Sequence, residues 1–229
     1  MSAWTNFTQN LNWTGLISFI WRIAAVLFCI VFHEVSHGYA AYLMGDTTAK
    51  QMHRLSLNPL RHIDPLGALM MVTVGFGWAK PVPIDMRRFR HPKLGMAVTA
   101  LAGPVSNFVL AYVALLIRAA LYPFYMTSDS ALLGYVINFL ATVATLSVGL
   151  GIFNLIPFPP LDGSKVVGAL LPNDLYYSVL RYERYGMFIL MALLWMGILD
   201  PYLSAARQWA LKILLSASMW PYYLVSSLM

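Results

Sequence analysis

The sequence predicts an all-α polytopic membrane protein with four to six transmembrane helices, a small cytoplasmic-side β-hairpin or edge strand, and a re-entrant segment. Three observations point there. Of 229 residues, 59 % are hydrophobic and only 10 % are charged, against roughly 25 % charged in a typical soluble domain. The mean hydropathy is +0.66, and too few polar residues remain to cover a globule of this size. The apolar residues also gather into runs of the length a bilayer demands, about 20 residues each. The same composition excludes a disordered chain, a coiled coil and a secreted disulfide scaffold, since the single Cys29 has no partner within the chain.

The elements follow in order. Leu16–Met44 is a first span, interrupted only by Arg22 and a polar cluster at His33–His37. Residues 1–15 carry no Lys or Arg, and no small-residue cleavage site follows a short apolar core, so this span is expected to stay in the mature protein. Leu66–Phe76 is apolar but too short to cross, which suggests a re-entrant or interfacial hairpin. Leu94–Pro123 and Ala131–Ile156 read as full spans, Gly186–Leu199 as a short one, and Ser204–Leu228 as a last span or an interfacial amphipathic helix. No internal repeat or linker divides the chain. One membrane domain over residues 1–229 is expected, with a core at 16–170 and C-terminal helices at 185–228.

Charge sets the orientation. Most of the 15 basic residues fall in three segments: Lys50, Arg54 and Arg61; then Lys80, Arg87, Arg88, Arg90 and Lys93; then Lys165, Arg181 and Arg184. The positive-inside rule places these segments in the cytoplasm and the N-terminus outside. The net charge of +6 is thus read as topology and contact with the lipid bilayer, with no nucleic acid as partner.

The chemistry lies in the first span. His33-Glu34-Val35-Ser36-His37 places two imidazoles at i and i+4, about 40° apart on one helix face, where they can share a metal ion. Glu34 stands beside them, able to act on a metal-activated water without being a ligand. A carboxylate and two histidines at lipid depth are costly unless they face an interior cavity and are satisfied there. A catalytic zinc takes a third protein ligand and keeps one position open. Cys29, one turn before His33, is one candidate, though a thiol there also serves simply as packing. Asp162 is the better one. Pro157, Pro159 and Pro160 must break the helix at the cytoplasmic end of the third span, and irregular backbone at that depth has to line protein or a wet cavity. The alternative for Asp162 is a helix N-cap before Gly163-Ser164-Lys165.

The pairing of His-Glu-x-x-His with Asn154-x-x-Pro157-x-Pro159-x-Leu161-Asp162-Gly163 resembles the site-2 protease family of intramembrane zinc metalloproteases. Three further segments resemble it: Ala102–Asn107, Gly75–Ile84 and the Leu57–Gly67 loop. Together they cover about residues 16–170. The resemblance implies one Zn2+ held by His33, His37 and Asp162, with Glu34 as the general base. It also implies Asn154 as an oxyanion donor, to which Asn107 is a second candidate. Gly77, Lys80, Val82 and Ile84 would form an edge strand that binds an unwound stretch of a substrate's transmembrane helix, prolines at alternate positions leaving one side free to pair. The expected protein is a compact member, without PDZ or CBS domains, in a bacterial cytoplasmic membrane. It would cleave single-pass membrane proteins in or near their spanning helices. The rivals are a prenyl-protein processing protease, which would not depend on Asp162, and a non-proteolytic metal-binding protein or metal transporter. The residues leave the oligomeric state open.

Overall fold

A computed structural model describes residues 13–73, 79–128 and 130–229. Helix α1 spans Trp13–Leu43. It stops where Gly45 adopts a φ of +111°. The Asp46 N–H then reaches the Ala41 carbonyl at 2.9 Å and the Gly45 N–H reaches Tyr42 at 3.2 Å. This paired closure satisfies carbonyls that a helix end leaves open, and glycine adopts the left-handed turn without a Cβ clash. A one-turn helix α2, Thr48–Gln51, follows. Helix α3 is Pro65–Thr73, and the Asp64 carboxylate accepts the Gly67 N–H at its start (2.9 Å).

Helix α4, Pro92–Thr127, opens on a proline at its first position, where no N–H is needed. Helix α5, Ala131–Asn154, is capped by Ser130. After the proline-rich break come α6, Asp162–Gly168, α7, Asn173–Trp195, α8, Asp200–Ser218, and α9, Trp220–Leu228.

Helices α1, α4 and α5 pack together as the core. Their contact is built from small or slender side chains: Ala25 and Cys29 from α1, Ala111 and Ala114 from α4, Val143, Ala144 and Val148 from α5. Lipid tails are as apolar as leucine, so helices gain by approaching closely over small residues rather than by hiding large ones. Several large side chains on these helices point outward instead: Phe19, Phe28 and Ile117 are all exposed. Cys29 is buried in this seam, with its Sγ 3.6 Å from the Val143 carbonyl; it packs, and it belongs to no metal-ligand cluster.

Two expectations change. Among the described residues, three helices are long and apolar enough to cross a membrane, Ile17–Leu43, Pro92–Thr127 and Ala131–Asn154, and four if one bent pair counts as a single span. That pair, Tyr185–Trp195 and Asp200–Leu228, is bent by 85° around Gly197, whose φ is +68°. Gly186–Leu199, expected as a short span, and Ser204–Leu228, expected as a last span or an interfacial helix, thus lie on one angled feature. Of the expected four to six spans the described residues show three, or four if the pair counts as one. The expected β-hairpin is not seen among the described residues, and part of its sequence, residues 74–78, lies outside them. Among the described residues there is no sheet, only one antiparallel bridge between Ile63 and Ala79. The expected re-entrant stretch is a helix as far as Thr73, and its remainder lies outside the described residues.

The seam between α4 and α5 leaves no room for a longer side chain. Ala144→Leu should destabilise the protein by about 1–3 kcal/mol through overpacking, read as a lowered midpoint of thermal unfolding in detergent micelles.

Candidate metal centre

His33 and His37 sit one turn apart on α1, and both are buried. Their Nε2 atoms lie 2.9 Å apart. Asp162 comes from the opposite side of the core, as the first residue of α6. Its Oδ2 is 3.2 Å from His33 Nε2 and 3.1 Å from His37 Nε2. The helix N-cap is Leu161, so Asp162 does not cap α6; its carboxylate turns to the imidazoles instead.

The break that delivers Asp162 is tightly fixed. Leu161 N–H bonds to the Phe158 carbonyl at 3.0 Å, and Ser164 Oγ returns to the Leu161 carbonyl at 2.7 Å. Gly163 is obligatory, because a Cβ there would strike the Leu155 carbonyl. With three prolines withholding donors nearby, the chain has few other ways to turn.

The three donor atoms fit a zinc ion. Bonds of 2.0–2.1 Å in a tetrahedron separate ligands by about 3.3 Å, close to the edges of this triangle. Two nitrogens and one carboxylate oxygen are also the donor types zinc prefers, with one position left open. The far nitrogens of both rings are engaged as well: His37 Nδ1 meets the Thr99 carbonyl at 2.7 Å, and His33 Nδ1 meets Asn107 Nδ2 at 3.2 Å. Among the described residues this is the one cluster of three or more potential ligands.

Helix α4 comes close enough to make these contacts because of Gly103. A Cβ at that position would lie 2.6 Å from His33 Cε1 and would collide with the His37 ring. Thr99, Gly103 and Asn107 are spaced by four residues, so they form one stripe beneath the two rings.

Glu34, Asn154 and Lys165 line the same cavity of about 220 Å³, together with the triad and with Pro81, Val82 and Ile84. One oxygen of Glu34, Oε2, accepts the Val82 N–H at 2.9 Å. Asn154 donates its amide back to the Leu150 carbonyl at 3.0 Å. Asn107 is fully buried, lies behind His33 and does not line the cavity. Lys80 is exposed beyond the cavity, and Gly77 lies outside the described residues.

The 80–85 segment is held in place at several points although it pairs with no strand. Lys80 N–H bonds to the His62 carbonyl at 2.8 Å. The buried Arg54 guanidinium reaches the Lys80 and Pro81 carbonyls at 2.7 and 3.3 Å. At the far end, Asp85 N–H bonds to Oδ2 of the buried Asp46 at 2.7 Å. Gly38 lets the segment close over α1, since a Cβ there would crowd Val82 and Leu55. Sequence reasoning gave Thr99, Arg54 and Asp46 no part in the site. The four-residue spacing from Thr99 to Gly103 is the only signal that points to any of them.

Apolar spanning helices that enclose a His–His–carboxylate triad define a class, the zinc-dependent hydrolases set within a membrane. The chain belongs to peptidase family M50, whose family model matches residues 21–197. It is 35 % identical over 195 residues to a Bacillus subtilis protein named "Putative zinc metalloprotease YwhC", covering 83 % of this chain and 89 % of that one. It is 28 % identical over 194 residues to Rip2 of Mycolicibacterium smegmatis (81 % and 70 % covered), named likewise as a zinc metalloprotease. To zinc metalloprotease MJ0392 of Methanocaldococcus jannaschii it is 25 % identical over 187 residues, 80 % of this chain and 45 % of that one. No solved structure gives a significant match. The protein is therefore an integral membrane metalloprotease with zinc as its cofactor.

Gly103→Ala should push both rings away from Asp162. Zinc affinity, measured by competition with a fluorescent chelator, should fall roughly 10- to 100-fold, the range seen when groups supporting metal ligands are disturbed.

Proposed function

We propose that this protein is an intramembrane site-2-type protease, which hydrolyses peptide bonds in or near the transmembrane helices of single-pass membrane proteins, with its site toward the cytoplasm. The observation that carries this reading is the convergence of His33, His37 and Asp162 on one point, with Glu34 beside it in a cavity at the edge of an apolar helix core. His33, His37 and Asp162 hold the zinc, which when bound supplies Lewis-acid activation of water and of the scissile carbonyl.

The remaining work falls to the chain's own residues. Glu34 takes the proton of the attacking water and returns it to the leaving amine. Its Oε2 is already tied to the Val82 N–H, so the carboxylate has one fixed orientation and its second oxygen handles the proton. Asn154 supplies a donor to the developing oxyanion by releasing its bond to Leu150. The peptide of a membrane helix is hidden in its own hydrogen bonds, so the substrate must unwind locally and find replacements. The 80–84 segment offers them: Pro81, Val82 and Ile84 border the cavity, and an extended substrate laid beside them is held next to Glu34. The distribution of basic residues supports an outward N-terminus in a cytoplasmic membrane.

Two variants test this in purified protein reconstituted with a membrane-protein substrate. Glu34→Gln should lower turnover by roughly 10²–10⁴-fold and keep one zinc per chain, measured by metal analysis; normal turnover would remove Glu34 as the base. Val82→Pro abolishes the N–H that orients Glu34 and should impair cleavage strongly while zinc content and thermal unfolding stay close to wild type. Unchanged proteolysis by that variant would separate the 80–84 segment from the chemistry.

A further inference from the structure

Asn107 is fully buried, and its amide nitrogen faces His33 Nδ1 at 3.2 Å. Its carbonyl oxygen Oδ1 is buried with no hydrogen-bond partner. A buried, unpaired amide oxygen is costly, and here it sits on the amide that touches a metal-site imidazole. The arrangement also fixes the wrong proton. If Nδ2 donates to Nδ1, the ring must carry its own proton on Nε2, the atom directed at Asp162 and His37. A neutral imidazole that offers Nε2 to a metal carries its proton on Nδ1 and needs an acceptor there.

The neighbouring ring shows the required pattern. His37 Nδ1 faces a backbone carbonyl, that of Thr99, at 2.7 Å. A carbonyl can only accept, so His37 must hold its proton on Nδ1 and keep the Nε2 lone pair free. Helices α1 and α4 run antiparallel here: His37 meets Thr99 while His33, one turn earlier, meets Asn107, two turns later on α4. Gly103 lies between them, under both rings. The backbone provides the acceptor for one ring and a side chain must provide it for the other. Half a turn of the Asn107 amide exchanges its two ends, places Oδ1 on Nδ1–H and corrects the misplaced proton, while Nδ2 takes the place that Oδ1 leaves.

We propose that Asn107 is a positioning residue for His33. Its Oδ1 accepts the Nδ1 proton, which sets the tautomer and the ring orientation that present Nε2 to zinc. It takes no part in oxyanion stabilisation, because it is sealed behind the ring and never meets substrate. This rests on the zinc-site reading above.

The experiment asks whether position 107 must accept or donate. Asn107→Asp and Asn107→Leu both keep the branched side-chain skeleton; an ionised Asp can only accept and Leu can do neither. Zinc affinity is measured by chelator competition on the full chain in detergent, with thermal unfolding followed in parallel. In the zinc-free wild type, 15N chemical shifts of selectively labelled histidine report which ring nitrogen carries the proton before any metal is bound. The expected result is Asp within about threefold of wild type and Leu weaker by roughly 10- to 100-fold. The His33 signal should show protonated Nδ1 and should move in the Asp variant. Zinc affinity unchanged in Leu, Asp weaker than Leu, or a His33 proton found on Nε2 would each overturn the proposal. If either variant fails to fold, the wild-type tautomer decides alone. The underlying site reading fails separately, if His33→Ala and His37→Ala leave zinc affinity intact.

Discussion

The close approach of α1 and α4 at Gly103 is the constraint on which the site depends. Two imidazoles and a carboxylate at lipid depth are tolerable only when every polar atom finds a partner. The partners come from the facing helix: the Thr99 carbonyl, the Asn107 amide, and between them a residue with no side chain at all. A single methyl at that crossing would part the helices and separate the rings from their supports. The small residues of the wider seam, from Ala25 to Val148, serve the same end, since they hold the two helices at one spacing over several turns.

A second layer of order comes from outside the core. The 80–85 segment is not a strand, yet it is as firmly placed as one. Its contacts run to His62, Arg54, Glu34 and Asp46, four residues spread over α1 and the loops that follow it. Asp46 owes its position to the turn at Gly45, which ends α1 and leads the chain back beneath the segment. The end of the helix that carries the histidines thus also locates the segment that borders their cavity.

Much of this was legible in the sequence, for reasons that can be named. The histidine pair was readable because helical periodicity alone puts residues 33 and 37 on one face. Asp162 was readable because three prolines force a break where a span should end, and a carboxylate at such a break has few innocent uses. The segment at 80–84 was misread in form. Alternating prolines signal an extended edge, but a strand exists only if another strand meets it, and here side chains of Glu34 and Arg54 occupy its bonding groups instead. Only the lower end of the expected span count is met, because hydropathy measures apolar length and cannot register the 85° bend at Gly197. Asn107 was recognisable as part of a pattern but not in its place, since facing a cavity and standing behind His33 look the same in one dimension.

The prolines have one more effect. Positions 81 and 83 possess no N–H, and the one between them is already given to Glu34. Between positions 81 and 83 this short ridge offers a neighbour carbonyl oxygens and no free N–H, and Arg54 already bonds the first of those oxygens. A chain stretched alongside must bring all the hydrogens itself, and a target residue that is proline at the facing register arrives with nothing to contribute. Selectivity of that kind would need no side-chain pocket, because the backbone alone imposes it.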